Sequence, residues 1–337
     1  MGGPLTVFRH QAMACDFEIS LNGEADREGV DAEQRWLDKS AAEAALDAFD
    51  QVDRVESILS MFRSNTELSR LNLLAAEMKV HCSDDFFRWL LQCRRLWEET
   101  GGAFDITSAP LWEVWGFARR EGEIPSDEAL SAALELTGMD KVLLEEGECR
   151  VAFAQSGIRL NFGGIGKGIA VDQASAVLRE NRVDDFLLHG GRSSITASGG
   201  RAGEYTPESQ APCWTIGLSD PYVPERRIGE FYLSNRSLGT SGSQYQFFRY
   251  KGKRYPHIID PRTGRCATGL VEVCVTAPDA ALADALSTAF FVLGPEKAEH
   301  YCRLHPEIGA VFLQEAPVPR RYVVSVLGLN QNEFHLF

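Results

Sequence analysis

Residues 161–168 read Asn161-Phe-Gly-Gly-Ile-Gly-Lys-Gly168 and lead into an apolar-periodic run from Ile169 to Arg179. Glycines let a backbone turn its N–H groups toward an anion, a helix start adds partial positive charge, and Lys167 supplies a full one. The spacing argues against two nucleotide folds. It has neither the Gly-x4-Gly-Lys-Ser/Thr of a P-loop nor the Gly-x-Gly-x-x-Gly of a dinucleotide-binding βαβ unit. A phosphate site fits these residues, and so does a plain tight turn with a solvated lysine.

On either side of this loop, helices and strands intermix without strict β-α-β alternation, which favours α+β over a doubly wound sheet. Leu46, Phe49, Val52, Val55, Leu59 and Phe62 recur every three or four residues, the stripe of one helix. Ser83 reads as the N-cap of a second helix through Phe86, Leu90, Cys93 and Trp97, stopped by Gly101-Gly102. A third helix is expected from Ser126 to Thr137, followed by a hairpin of Val142–Leu144 and Val151–Phe153. Strands are expected near 16–21, 185–189, 215–218, 271–276, 309–313 and 322–327. Two polar, aperiodic stretches read as surface insertions: one beginning at Asn22 and reaching Gln34 to Ser40, the other over 198–212.

The chain has 337 residues, ordinary globular composition, and 48 acidic against 34 basic residues for a net charge of −14. That balance disfavours a nucleic-acid partner, which needs a basic surface to displace counterions. No stretch is apolar enough for a membrane span, and residues 1–9 lack a basic segment followed by an apolar one. As it stands the chain reads as soluble and cytoplasmic; an exported or anchored form with its leader removed would read the same. The eight cysteines form no C-x-x-C and no metal-type spacing with His, which points to reduced, packed thiols.

Three further segments carry candidate chemistry. In Asp279 to Gly294, a helical wheel places Asp284, Ser287 and Thr288 on one face, opposite Leu282, Leu286, Ala289, Phe290 and Leu293. One carboxylate with two hydroxyls is the hard-oxygen set that Mg²⁺ prefers; a small solvated polar face gives the same pattern. His257 ends a short extended run before the turn Asp260-Pro-Arg-Thr-Gly264 and suits proton transfer, or a structural role. Gly101-Gly-Ala-Phe-Asp105 places a carboxylate after a glycine turn.

Taken in order, Met13-Ala-Cys15, Leu59 to Arg63 with Glu67 to Asn72, Gly101 to Thr107 with Leu111 to Phe117, Asn161 to Asp172, Thr240-Ser-Gly242, His257 to Gly264 and Asp284 to Thr288 resemble the ApbE-type FAD:protein FMN transferases. The resemblance spans almost the whole chain. It implies an α+β fold related to the T-fold, with a mixed, antiparallel β-rich core and flanking helices, forming one catalytic unit over residues 1–337. It also implies a Mg²⁺-dependent enzyme that cleaves the FAD pyrophosphate, joins FMN by a phosphoester to a threonine of an acceptor protein and releases AMP. The alternatives are an FAD pyrophosphatase giving FMN and AMP, and a non-catalytic flavin-binding protein. Carried over by position, Met13, Phe62, Ala103, Phe104, Asp105, Asn161, Lys167, His257 and Ile259 would contact the flavin nucleotide. Gly164, Asp284, Ser287 and Thr288 would hold the metal, and His257 or Asp284 would take the proton.

The chain departs from the family pattern at four places. Met13-Ala14-Cys15 stands where the family usually has Met-Gly-Thr, and Phe62 replaces a tyrosine. Asn161 stands where some members have Asp, and Arg192 replaces the Asp of a Gly-Gly-Asp, reversing the charge.

Overall fold

The structure is a computed structural model that describes residues 4–22, 32–244, 246–318 and 320–337, the side chains of 32–40 excepted. Its elements, in chain order, are β1 (Leu5–Ala12), β2 (Cys15–Asn22), α1 (Ala32–Leu59), α2 (Glu67–Leu74), β3 (Val80–His81), α3 (Asp84–Glu99), α4 (Ala109–Val114), α5 (Asp127–Glu135), β4 (Val142–Glu145), β5 (Arg150–Phe153), α6 (Gly166–Glu180), β6 (Phe186–Gly190) and β7 (Ser194–Ser198). They continue with β8 (Trp214–Asp220), β9 (Val223–Leu233), β10 (Arg236–Gly242), β11 (Phe247–Tyr250), β12 (Lys253–Pro256), β13 (Leu270–Ala277), α7 (Ala280–Leu293), α8 (Pro295–Leu304), β14 (Gly309–Glu315), β15 (Tyr322–Leu327) and β16 (Phe334–Leu336).

Eight strands form one antiparallel sheet in the order β1-β2-β6-β7-β10-β13-β14-β15. The mixed, β-rich α+β expectation holds. Helices α1, α6 and α7 share a core with Phe17, Ile19, Val273 and Val275 of this sheet. A smaller cluster joins Ile195, Leu238, Val271 and Val311 to Trp214 and Phe231 of a three-stranded sheet, β16-β9-β8. Strand β13 is buried along its whole length, so its sequence, Leu-Val-Glu-Val-Cys-Val-Thr-Ala, is nearly all apolar rather than alternating.

The expected helix starts are present. Ser83 accepts a hydrogen bond from the Phe86 N–H and Ser126 from the Ala129 N–H, while Gly101 and Gly102 close α3 at φ +58° and +77°. The first stripe needs two corrections. Leu46 is exposed because alanines 44, 45 and 48 form that part of the buried face, and Phe62 lies beyond the helix end. The first expected insertion also needs correction: residues 23–31 lie outside the described residues, but from Ala32 the chain is helical, continuous with the alanine-rich segment 41–48. All eight cysteines are free, as expected, and five of them are buried.

Two glycines decide how close α7 sits to its neighbours. A Cβ on Gly168 of α6 would lie 2.3 Å from the Ala280 carbonyl oxygen, and one on Gly239 of β10 would lie 2.3 Å from the Ala283 carbonyl carbon. Asp172, one turn beyond Gly168, fixes the same junction by accepting the N–H groups of Ala280 and Ala281 at 2.8 and 2.9 Å. Burial and the nearby Asp279 push the Asp172 carboxyl up to about 7, against those two bonds, which favour its anion.

Gly168→Ala should therefore lower stability by about 1–3 kcal/mol in urea titration, since a backbone carbonyl must move. Gly147→Ala, with open space around its Cβ position, should stay within about 0.5 kcal/mol of the parent.

Candidate active site

A cavity of about 420 Å³ opens between the 101–107 loop, the 161–168 loop, the end of β10, His257 and α7. Its lining includes Phe62, Ala103, Phe104, Asp105, Asn161, Gly164, Lys167, His257, Ile259, Asp284, Ser287 and Thr288. Segments separated by more than 200 residues thus converge on one space. Met13 does not line it. It sits in the β1–β2 turn at φ +51°, beside a neighbouring surface hollow, with its Cε near Gly166.

Asp284 is the centre of the polar wall. Its Oδ2 accepts the Gly168 N–H at 2.8 Å and the Ser194 hydroxyl at 2.6 Å, with the Lys167 Nζ 4.0 Å away. Burial pushes this carboxyl above the usual aspartate range, opposed by Lys167, the Ser194 hydroxyl and the Gly168 N–H. The polar face of α7 is therefore not solvated, because Asp284 and Ser287 are both buried.

Ser241 of β10 completes this wall. Its Oγ lies 2.8 Å from the Ser287 Oγ and 3.2 Å from the Thr288 Oγ1, while the Ser287 hydroxyl donates to the Asp284 carbonyl at 2.9 Å. Gly164 backs onto the same spot: a Cβ there would lie 3.4 Å from the Thr288 Oγ1. Ser194 does not stand out in sequence, and Ser241 lies in the Thr240-Ser-Gly242 segment without a role assigned to it. The signal for Ser241 was the hydroxyl-rich run Thr240-Ser-Gly-Ser243, whereas Ser194 is one serine among several. Among the described residues no three of His, Cys, Asp and Glu cluster as a metal group. The oxygens gathered here are one carboxylate and three hydroxyls, a set suited to a hard cation.

The glycine loop spends its N–H groups differently from the phosphate reading. Gly163 donates to the Asn161 Oδ1, Ile165 and Gly166 to the Phe162 carbonyl, and Gly168 to Asp284. The loop's backbone thus builds the polar wall, and the charge offered to an anion is the Lys167 ammonium. Asp105 is likewise engaged. Its Oδ1 accepts the Thr107 N–H and hydroxyl at 2.7 and 2.5 Å, and burial pushes its carboxyl up to about 6.

His257 lies across the cavity, its Nδ1 3.0 Å from the Gln246 carbonyl oxygen. A carbonyl only accepts, so Nδ1 carries the hydrogen and Nε2 keeps its lone pair. Burial holds the imidazole below its ordinary value, with Lys167 acting in the same direction and the Gln246 bond against it, so the ring is neutral near pH 7. The Trp112 Nε1–H donates to the His257 carbonyl at 3.0 Å and pins the backbone. Phe62, 82% exposed, stands at the mouth as a free aromatic face. Arg192, at φ +61°, is exposed and lines a separate groove with Arg9, His10, Cys15 and His189; its neighbour Ser193 is the residue that reaches the cavity.

Comparison with known proteins bears on the family and the fold. A family model described as the ApbE family matches residues 13–312. The chain is 30% identical to the FAD:protein FMN transferase of Klebsiella pneumoniae over 79% of this chain and 80% of that one. It is 32% identical to the FAD:protein FMN transferase of Treponema pallidum over 80% and 77%. The crystal structure of an ApbE protein from Thermotoga maritima superposes with a TM-score of 0.79 at 25% identity, covering 96% of this chain and 97% of that one. The apo form of the Pseudomonas stutzeri flavinyl transferase ApbE gives 0.78 at 25% identity, covering 97% and 96%. The glycine loop, the α7 carboxylate with its hydroxyls and the neutral histidine therefore stand in a shared scaffold, and this chain belongs to the ApbE family.

Proposed function

We propose that this chain is an FAD:protein FMN transferase: it cleaves the FAD pyrophosphate, joins FMN to a threonine hydroxyl of an acceptor protein and releases AMP, with Mg²⁺ as its metal. The observation that carries the reading is the convergence of Lys167, Asp284, the Ser241, Ser287 and Thr288 hydroxyls, and neutral His257 on one cavity.

Phosphoryl transfer asks for positioning and charge neutralisation more than for covalent help. Asp284, Ser287, Thr288 and the Gly164 carbonyl would hold the cation, which when bound neutralises charge on the pyrophosphate. Lys167 binds the phosphates from the floor of the cavity. Phe104, Ile259 and the exposed Phe62 ring give the flavin apolar faces to stack on. Asn161 and Ala103 line the wall around it, and Asp105 holds that wall through Thr107. Met13 supports the start of α6 from behind. The His257 Nε2 takes the proton as the threonine oxygen bonds to the FMN phosphorus and the pyrophosphate P–O bond breaks toward AMP. In this reading the whole chain acts as one catalytic unit.

The test is incubation of the purified protein with FAD and Mg²⁺, with and without a threonine-bearing flavin-acceptor domain, following AMP by chromatography and acceptor mass by mass spectrometry. A gain of one FMN on the acceptor, matched by AMP, is the expected result; AMP and FMN without an adduct would make the enzyme a pyrophosphatase. Asp284→Asn, which keeps the side-chain shape, should abolish Mg²⁺-dependent AMP release, and undiminished release would remove Asp284 from the metal site. His257→Ala should lower kcat by about 10²–10⁴-fold while FAD affinity holds. Weakened FAD binding with an unchanged rate would instead make His257 a contact residue.

A further inference from the structure

Between residues 231 and 259 the chain has no Asp or Glu but five Arg or Lys, although its net charge is −14. Four of the five lie on the hairpin of β11 and β12, which forms a two-stranded sheet of its own. Arg254 is committed internally: it donates to Gln244, Ser243 and Glu315. Arg249, Lys251 and Lys253 are exposed and make no ion pair among the described residues. Each instead rests over an aromatic ring, Arg249 over Phe247 at 5.7 Å, Lys251 over Tyr250 and Lys253 over Tyr255 at 5.3 Å each. Such contacts hold the side chains in place and leave the charge toward water.

The hairpin is rooted in the cavity wall. At its base the His257 N–H and Nδ1 both meet the Gln246 carbonyl, and Gln246 and His257 line the cavity. Phe248 packs against Trp115 and Phe117, and Tyr255 against Trp115, at ring distances between 5.5 and 6.3 Å, so the arm is seated firmly. Three uncompensated cations on a firm arm beside a reactive histidine form a patch of one sign on an otherwise acidic molecule. That arrangement favours the approach of an oppositely charged partner along the hairpin, since the molecule as a whole carries net negative charge. The patch is too small for a polyanion backbone, whose binding typically rests on six to ten phosphate contacts. A dinucleotide is already met by Lys167 inside the cavity.

We propose that Arg249, Lys251 and Lys253 form a docking surface for an acidic segment of the acceptor protein, which brings the hydroxyl to be modified toward His257. The proposal rests on the transferase reading above and adds the charge of its partner.

The experiment uses the full chain and two fluorescein-labelled peptides that share a central threonine, one flanked by Glu and the other by Gln. Fluorescence anisotropy should show the Glu peptide binding roughly tenfold more tightly at low salt, the sum of three exposed ion pairs, with the preference fading as salt screens them. Arg249→Glu/Lys251→Glu/Lys253→Glu should abolish the preference and leave FAD affinity, read by flavin fluorescence, unchanged; Lys251→Arg/Lys253→Arg should keep it. Equal binding of the two peptides, or a preference that survives the triple variant, would overturn the proposal. So would a comparable loss of FAD affinity in the triple variant, which would assign these cations to the nucleotide. With FAD and Mg²⁺ added, absence of AMP alongside an intact peptide preference would remove the transferase reading and leave the docking surface standing.

Discussion

The buried carboxylate of Asp284 is the group around which this molecule is arranged. A carboxylate taken out of water is costly unless its charge is answered, and here it is answered by a helix N–H, a serine hydroxyl and a lysine ammonium. The N–H and the ammonium come from α6 and the hydroxyl from β7. The N–H and the ammonium require α6 to lie against α7 within reach of residues 167 and 168, and the hydroxyl requires β7 beneath them. That proximity exists only because Gly168 and Gly239 leave no Cβ in the way and Asp172 ties the start of α7 to α6. Packing geometry and site electrostatics are therefore one constraint: a helix moved to admit a methyl group would also move the carboxylate.

The opposite wall works by a different principle. His257 owes its protonation pattern to a backbone carbonyl rather than to a carboxylate partner, and burial keeps it neutral. A neutral imidazole with its lone pair on Nε2 can accept a proton without adding a negative charge to the cavity. The two walls differ in character, one rich in hydroxyls and charge and the other neutral, which suits a reaction with a phosphate on one side and an incoming hydroxyl on the other. The same Gln246 carbonyl closes the base of the β11–β12 hairpin, so the position of the histidine and that of the basic arm are set together.

Much of this was legible in the residue order. The wheel over Asp279 to Gly294 put Asp284, Ser287 and Thr288 on one face, and they do face one cavity; the caps at Ser83 and Ser126 marked their helices. Periodicity worked where an element has one buried side, and where both sides are buried the outcome depended on composition: the apolar run of β13 was legible. Strands β7 and β10, packed between helices and a second sheet, carry Ser, Thr and Gly instead of alternating apolar residues, so no pattern announced them. The strand β1 was missed for the opposite reason: it lies at the sheet edge and only its last residue, Ala12, is buried.

By itself, then, the order of residues determined the α+β class and the helices with strong caps, because these follow from local spacing and side-chain chemistry, and it offered candidate groups for the site, partly by spacing and partly through the family resemblance. Only the tertiary structure decided what those groups touch. It turned the glycine loop's N–H groups inward to Asp284, Asn161 and Phe162, moved Met13 behind the cavity, set Arg192 on an outer groove and brought Ser241 and Ser194 to the α7 carboxylate and hydroxyls. Contacts of that kind join residues far apart in the chain. They depend on how closely backbones approach, which no local pattern encodes.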